Sequence, residues 1–584
     1  MSSPGSPAQE SIGAEGESPS LAEEASPSPA EEASPSPPVS GKATKTEGSR
    51  VVERALMGVC IAGIAFLCVQ ILMFGYGRDQ GIYAMVADAL VRGKMPYRDA
   101  WDFKPPGIFV IYAIARLFFG SSQVGIRVLE VIGLLGTCWG LIRLSERFFN
   151  SRMAGFFAAA LAVLAHAQLD FWHTAQPESF GGYITIFALL LATPSPEKPV
   201  GTKRNIYLAG VLFGLAGLLK PPLAGGGALL ALYLAHFEYH GRPSTTPRRE
   251  RWMAAVRPGL WVAAGGATPM VLCALWFGAR GALHDLYEVL FVFTPHYTKL
   301  GWEGSTIGGM FYWSFIEWLT CYCSALSVGV LFALGFGMEK REKPFALLVA
   351  GIIALHLVGV TMQAKFFPYH YGATWPLTAL LAGVGFEKLR VRLTRMHKAG
   401  IAAFVVIFVA SCFGRSGTKD TEDSFMVRCK KRVGFLVGGL RDQEGIDKLA
   451  TIADVSAGAN REVARILNET TPKDRPVFVW GFEPVIYDQA DRRPASRFLY
   501  NVPQRVAWAK AGMRATLLRD LAEHPPSAVV VEHRDVFPMV TGDAIDSADT
   551  MYDFWDFYVF LQKYKLYKTV EDMDIYLEKD APSH

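Results

Sequence analysis

From residue 54 to residue 413, long apolar runs alternate with short polar segments, a pattern that predicts helices crossing a membrane. A span needs roughly 20 apolar residues, fewer where neighbours shield its ends. Runs of this kind lie near 54–75, 124–143, 153–171, 179–193, 206–220, 222–237, 258–277, 308–337, 345–362, 372–386 and 399–413. They predict about eleven spans. The stretch 106–119 is apolar but short, and reads as a helix that lies in the interface or re-enters. Residues 1–49 hold Ser, Pro, Glu and Ala with almost no large apolar residue, and EEASPSP occurs at 23–29 and again at 31–37. Such a tail cannot bury enough surface to offset its ordering entropy, so disorder is expected. It has no apolar core, so it does not read as a signal peptide, and the first run would act as an uncleaved anchor.

Beyond residue 414 the pattern changes. Charges mix, and short strand-like runs appear at 477–480, 528–532 and 574–578, with helical patterns near 456–469, 507–523 and 550–564. Alternating strand and helix predicts a small α/β domain. The expected fold is therefore a polytopic α-helical membrane protein in three parts: a disordered cytoplasmic tail (1–49), a transmembrane domain (50–413) and an extracytoplasmic α/β domain (414–584).

Composition supports this reading. Of 584 residues, 51% are hydrophobic and only 19% charged, with a mean hydropathy of +0.21, too little charge to cover a soluble protein of this length. The net charge of +4 gives no ground for a nucleic-acid partner. None of the eight cysteines forms a CxxC pair, which argues against a zinc or redox site.

The placement of basic residues sets the orientation. Arg50 and Arg54 precede the first run. Later clusters are Arg143, Arg147 and Arg152; Lys198, Lys203 and Arg204; Arg242, Arg248, Arg249, Arg251 and Arg257; Lys340, Arg341 and Lys343; and Lys388, Arg390, Arg392, Arg395 and Lys398. If 106–119 does not cross, all of them fall on one side, which the positive-inside rule makes cytoplasmic. The N-terminus is then cytoplasmic, and the segments near 76–123, 170–178, 278–307 and 363–371 face outward.

Those outward segments carry the candidate chemistry. Asp79 stands just beyond the first span, where a carboxylate can bind a divalent cation or take a proton from a hydroxyl. Lys104 follows Asp99 and Asp102 and precedes two prolines that stiffen its backbone, which suits an ammonium that meets a phosphate oxygen. The second segment holds Asp170, His173, Gln176 and Glu178; Glu178 opens the next apolar run, where an unpaired carboxylate is costly. Lys220 interrupts an apolar run and must face a polar cavity, a partner or an anion, or snorkel to the headgroups. Lys365, Tyr369 and His370 could bind a phosphate or a sugar hydroxyl, or form an aromatic belt with a snorkelling lysine; His296 and Tyr297 are weaker candidates. Carboxylates and cations at one face fit a charged amphiphile with its phosphate held by lysine or metal and its tail in lipid.

The segments Asp79-Gln-Gly-Ile-Tyr83, Gly93-Lys-Met-Pro-Tyr97 and Asp102-Phe-Lys-Pro-Pro-Gly107 resemble the first outward loop of C-type (GT-C) membrane glycosyltransferases. That group includes protein O-mannosyltransferases, the aminoarabinose transferases of lipid A and the bacterial RgtA/B/C/D-like proteins. Gly217-Leu-Leu-Lys-Pro-Pro222, Phe367-Pro-Tyr-His-Tyr371, Phe478-Val-Trp-Gly481 and Arg492-Arg-Pro-Ala-Ser-Arg497 are similar to later segments. The resemblance implies a multi-pass protein of a bacterial inner membrane that moves a sugar from a polyprenyl-phosphate donor to an extracytoplasmic lipid, glycan or protein, with inversion at the anomeric carbon. It makes Asp79 the catalytic carboxylate and Lys104 a phosphate-contacting lysine; the chemistry of the loops themselves adds Lys220 as a second ligand for the donor phosphate. Asp102, His173, Glu178, Lys365, Tyr369 and His370 are then candidate substrate or metal contacts. A divalent cation (Mg or Mn) is a candidate cofactor, with Asp79 as its ligand. Two departures bear on that cation: Gln80 stands where many relatives carry a second acid, and Phe103 where some carry glutamate. Two other classes remain open. One is a transporter or flippase for a lipid-linked sugar, against which the chain shows no internal repeat. The other is a non-catalytic envelope assembly factor. Arg492, Arg493 and Arg497 could meet a polyanionic glycan or be solvated loop arginines.

Overall fold

In the computed structural model of the chain, residues 47–579 are described apart from 322, 398, 414–422 and 453–454. The expected tail therefore lies, for residues 1–46, outside the described residues, as does Lys398 of the last basic cluster; residues 47–49 already belong to the first helix. The chain is a mostly helical, multi-span membrane protein with a small C-terminal sheet.

Helices occupy every expected span. They are α1 (Glu47–Leu72), α4 (Val124–Phe149), α5 (Arg152–Gln168), α6 (Pro177–Ala192), α7 (Lys203–Leu219), α8 (Gly225–His240), α9 (Arg248–Ala279), α12 (Ile307–Cys321) with α13 (Ser324–Phe336), α14 (Lys343–Gln363), α15 (Trp375–Met396) and α16 (Gly400–Cys412). Between them lie α2 (Arg78–Val91), α3 (Gly107–Phe119), α10 (Leu283–Tyr287) and α11 (Thr294–Trp302). Among the described residues, 4 helices suffice alone by length and composition to cross a membrane (α1 from Arg50, α4, α9 and α14), or up to 5 if α12 and α13 form one broken span. The expected single span 308–337 is not straight: α12 and α13 meet at 107°. Helices α5 to α8 have 16 or 17 residues. At about 1.5 Å per residue they are shorter than a hydrocarbon core of about 30 Å, and they lie among other helices.

Two ends of the bundle separate by charge. At one end, Lys388 pairs with Glu342 at 2.8 Å, Arg390 with Glu53 at 3.1 Å and Arg341 with Glu197 at 3.9 Å, while Arg147 donates to the Leu190 carbonyl at 2.8 Å. The basic segments around 50–54, 198–204, 340–343 and 388–395 therefore meet, and Arg147 of a fifth reaches the end of α6. Both ends of α3 lie at the opposite end. A Cβ on Gly107 would stand 2.7 Å from the Leu218 carbonyl oxygen, and Arg116, in the last turn of α3, pairs with Asp488 of the C-terminal region. The helix α3 turns back without crossing, as its shortness predicts.

The C-terminal region holds one sheet of order β1-β2-β4-β3, from β1 (Phe478–Trp480), β2 (Ala528–Glu532), β3 (Tyr564–Val570) and β4 (Met573–Glu578). β1 pairs parallel to β2 with Val479 opposite Val530, and β2 antiparallel to β4 with Val530 opposite Ile575. β1 and β2 are buried throughout and match the expected runs; β3 was not expected. Its run Tyr-Lys-Leu-Tyr-Lys-Thr-Val is mostly exposed. Lysine on an edge strand discourages pairing with another chain and hides the strand from a search for apolar alternation.

Candidate functional site

The site begins at the first turn of α2. Gly77 caps the helix in extended conformation, and the Gln80 side-chain oxygen accepts its N–H at 3.0 Å. Successive helical residues point about 100° apart, so the three residues after the cap face three different parts of the molecule. Arg78 reaches the C-terminal region, where Nε donates to Glu483 at 2.8 Å. Asp79 faces the ammonium of Lys104, and an acid in this turn also suits the helix dipole. Gln80 turns to the second outward loop, its amide donating to the carbonyls of Phe171, Trp172 and Thr174 at 3.1, 3.1 and 2.7 Å.

Lys104 closes on Asp79 from the far end of the same loop. Its ammonium is 3.7 Å from Asp79 Oδ2, and the two side chains remain 18% and 22% exposed, so both keep access to a substrate. The Tyr97 hydroxyl donates to the Lys104 carbonyl at 2.9 Å, and two prolines follow, so the loop fixes where the ammonium stands. Burial opposes the charge, but Asp79 and then Asp102 more than offset it and hold the ammonium above its ordinary range. Gln176 donates to Asp79 at 3.3 Å and itself accepts from the Tyr83 hydroxyl at 3.0 Å. Asp79 is thus held by a cation and an amide, with a tyrosine behind the amide.

Beside this pair lies a cavity of about 290 Å³. Lys104, Glu178, Lys220, Lys365, Tyr369 and His370 line it together with Leu219, Leu290, Phe291, Tyr297 and Phe367. Segments from all four loops that the sequence reads as outward, and from the end of α7, meet here. Lys220 pairs with Glu178, so each satisfies the other's charge. Lys365 donates to the Tyr297 carbonyl at 2.9 Å and sits 3.5 Å from the centre of the Tyr297 ring. Burial and then Lys104 push the Lys365 ammonium down to about 7. No carboxylate among the described residues lies within ion-pair distance of it. His370 donates from Nδ1 to the Lys365 carbonyl at 2.6 Å, and burial followed by Lys220 and Lys104 pushes its imidazole well below the usual range, which keeps it neutral.

Two expected contacts stand elsewhere. Asp102 does not line the cavity: it is buried, Tyr500 of the C-terminal region donates to it at 2.7 Å, and burial pushes its carboxyl up to about 6. His173 stacks on Tyr369 with ring centres 5.9 Å apart and lies behind the lining. His296 stacks on Trp508 instead, while Tyr297, its neighbour, belongs to the cavity. Arg492 and Arg497 also serve the fold. Arg492 is buried and donates to the Thr471 carbonyl at 2.9 Å, and Arg497 pairs with Asp520 at 3.0 Å.

Sequence reading missed Arg127 and Glu130. Fully buried on α4, they pair at 2.9 Å. Arg127 also donates to the carbonyls of Gly75 at 2.6 Å, Phe171 at 3.2 Å and Phe74 at 3.3 Å, and to the Thr174 hydroxyl at 2.9 Å. One guanidinium therefore ties the end of α1 to the second loop. The signal was present: two opposite charges three residues apart inside an apolar run must face the bundle and each other. Among the described residues no group of three or more His, Cys, Asp or Glu could hold a metal ion. Asp79 offers one carboxylate with an ammonium beside it, a donor set that does not fit a held cation.

Residues 103–256 match the family described as Dolichyl-phosphate-mannose-protein mannosyltransferase, a stretch that includes Lys104, Glu178 and Lys220. The fold is that of ArnT from Cupriavidus metallidurans. Its apo structure superposes with a TM-score of 0.52 at 14% identity, over 90% of this chain and 98% of that one. Its structure bound to undecaprenyl phosphate gives 0.51 at 13% identity, over 92% and 100%. The archaeal oligosaccharyltransferase AglB from Archaeoglobus fulgidus aligns with a TM-score of 0.43 at 11% identity, over 92% of this chain and 75% of that one. No curated protein is similar enough in sequence to count as a match. The family match and the shared fold agree with the resemblance carried by the outward loops.

Proposed function

We infer that this chain is a GT-C glycosyltransferase that uses a polyprenyl-phosphate sugar, with Asp79 as its base and a lysine-lined cavity as its donor site. The observation that carries the assignment of roles is the Asp79–Lys104 pair at 3.7 Å, at the edge of a cavity that three lysines share with an apolar wall. ArnT, which has this fold, was crystallised with undecaprenyl phosphate. A polyprenyl phosphate would set its anionic group against Lys104, Lys220 and Lys365, and its first isoprenes along Leu219, Leu290 and Phe291. Because Glu178 already balances Lys220, Lys365 carries the charge with most to gain from a phosphate.

The transfer follows. An acceptor hydroxyl gives its proton to Asp79 as its oxygen attacks the anomeric carbon, and the bond from that carbon to the phosphate oxygen breaks. The lysines stabilise the departing phosphate, and the glycosidic bond forms on the face opposite the one vacated, with inversion. Water removes the proton from Asp79. In this reading all eleven apolar segments cross an inner membrane, the basic clusters face the cytoplasm, and the cavity and C-terminal domain face outward.

The test uses the full chain in nanodiscs with labelled polyprenyl-phosphate sugars and candidate lipid or glycan acceptors. Asp79→Asn should lower kcat by about 10²–10⁴-fold and leave donor binding intact. A variant that transfers sugar as well as the parent would remove Asp79 from the chemistry.

A further inference from the structure

We infer that the C-terminal domain sets the position of the reactive carboxylate through Arg78, which makes Arg78 a positioning residue for the transfer. The inference rests on the reading of Asp79 as the base. Arg78 is adjacent to Asp79 in the first turn of α2, and its side chain is only 4% exposed. Its guanidinium reaches Glu483 at 2.8 Å and Glu532 at 3.4 Å, with its central carbon 4.5 Å from the Phe537 ring centre and 5.4 Å from that of Phe482. These four belong to the C-terminal domain, and the Trp172 ring of the second loop lies 6.0 Å from the same carbon.

The partners are themselves fixed. Asn460 donates to Glu483 at 2.7 Å, and the Phe482 N–H donates to Glu532 at 2.5 Å. The backbone is pressed close as well: a Cβ on Gly81 would stand 2.7 Å from Val485 Cγ2 and 3.0 Å from the Val485 nitrogen. The turn that carries Asp79 therefore lies flush against a rigid seat. On its other side Gln80 ties the turn to the carbonyls of Phe171, Trp172 and Thr174, while Asp79 itself meets side-chain partners, among them Lys104 and Gln176. Other links hold the domain to the bundle without touching this turn: Asp170 with Arg428 at 2.7 Å and with Arg432 at 2.6 Å, and Arg116 with Asp488. Loss of Arg78 should leave the turn held by Gln80 alone and loosen it, while the domain stays docked.

Four proteins decide this against the parent: Arg78→Gln, Arg78→Lys, the neutralised triple variant R78Q/E483Q/E532Q, and Arg475→Gln, which breaks a remote pair with Glu578, as a control. Each is measured for kcat, donor affinity, thermal midpoint and amide exchange over residues 76–83. Arg78→Gln should lose about 100-fold in kcat, the cost of an ångström of misplacement, with donor affinity unchanged and faster exchange in that turn. Arg78→Lys should recover part of the rate, since an ammonium keeps the charge but not the fork. The triple variant buries no unpaired charge, so its midpoint should return while its rate stays low. If rate and midpoint return together, Arg78 serves stability alone and the inference falls. Unchanged exchange over 76–83 in Arg78→Gln also overturns it. A parent protein that transfers no sugar would defeat the assigned function, and the exchange measurement would still decide the clamp.

Discussion

Gln80 shows how one residue can alter a site. Beside the loops it resembles, many of which carry a second acid at this place, glutamine reads in the sequence as a loss. In the structure its NH₂ group donates to three carbonyls of the second loop. A carboxylate has no hydrogens to give and would face those oxygens with like charge. Gln80→Glu should therefore lower stability by roughly 2–4 kcal/mol and kcat by at least about tenfold, as read by thermal unfolding and turnover. Rescue of that variant by added Mn²⁺ would mean that the position is an open metal seat, and would sink this reading. Lys365 makes a second prediction at this scale. Its pKa falls from the ordinary 10.5 to about 7 on folding, so between those values the folded chain binds fewer protons than the unfolded one. The stability of the empty protein should then rise with pH across that window. A bound phosphate favours the ammonium, so donor binding should weaken by up to about tenfold per unit above pH 7. Donor titrations from pH 6 to 9 should show this slope in the parent and a flatter one in Lys365→Met; parallel slopes would remove Lys365 from the donor site.

The helices were legible because apolar period and length report burial directly, but their contacts were not. The most extensive pairing, α7 against α9, rests on glycines that a hydropathy reading treats as neutral. A Cβ on Gly210 would stand 2.3 Å from the Val262 oxygen, one on Gly214 2.3 Å from the Gly266 oxygen, and one on Gly265 2.0 Å from the Tyr207 oxygen. With no attraction of apolar surface for itself in lipid, such close backbone approach is what holds spans together. Gly265→Val should force α7 and α9 apart, at a cost of about 1–3 kcal/mol. Because α7 ends at Lys220, the variant should also weaken donor binding. A thermal midpoint equal to the parent's would show that the seam yields at no cost. The bend between α12 and α13 was hidden for a related reason: an apolar run of 30 residues reads as one span wherever its direction changes.

Across the whole molecule, charge placement carried more than motif. The sequence placed four loops on one face from the asymmetry of lysine and arginine alone, and segments of those loops line a single cavity, while the basic segments pair with acids at the other end. Arg127 and Glu130 escaped because their value lies in partners about 50 residues away in each direction, the end of α1 and the second loop. What the bundle fixes is that the two ends are opposite; that the basic end faces the cytoplasm is the proposal drawn from the positive-inside rule. That step can be tested without knowing the substrate. Glu303 lies exposed in the loop that feeds the cavity, and Arg249 lies exposed at the start of α9, at the basic end. In intact cells, a maleimide that cannot cross the membrane should label Glu303→Cys and leave Arg249→Cys untouched until the membrane is permeabilised. Labelling of Arg249→Cys alone would invert the molecule and put the cavity in the cytosol, where neither the donor's proposed side nor the role of the outer domain could stand.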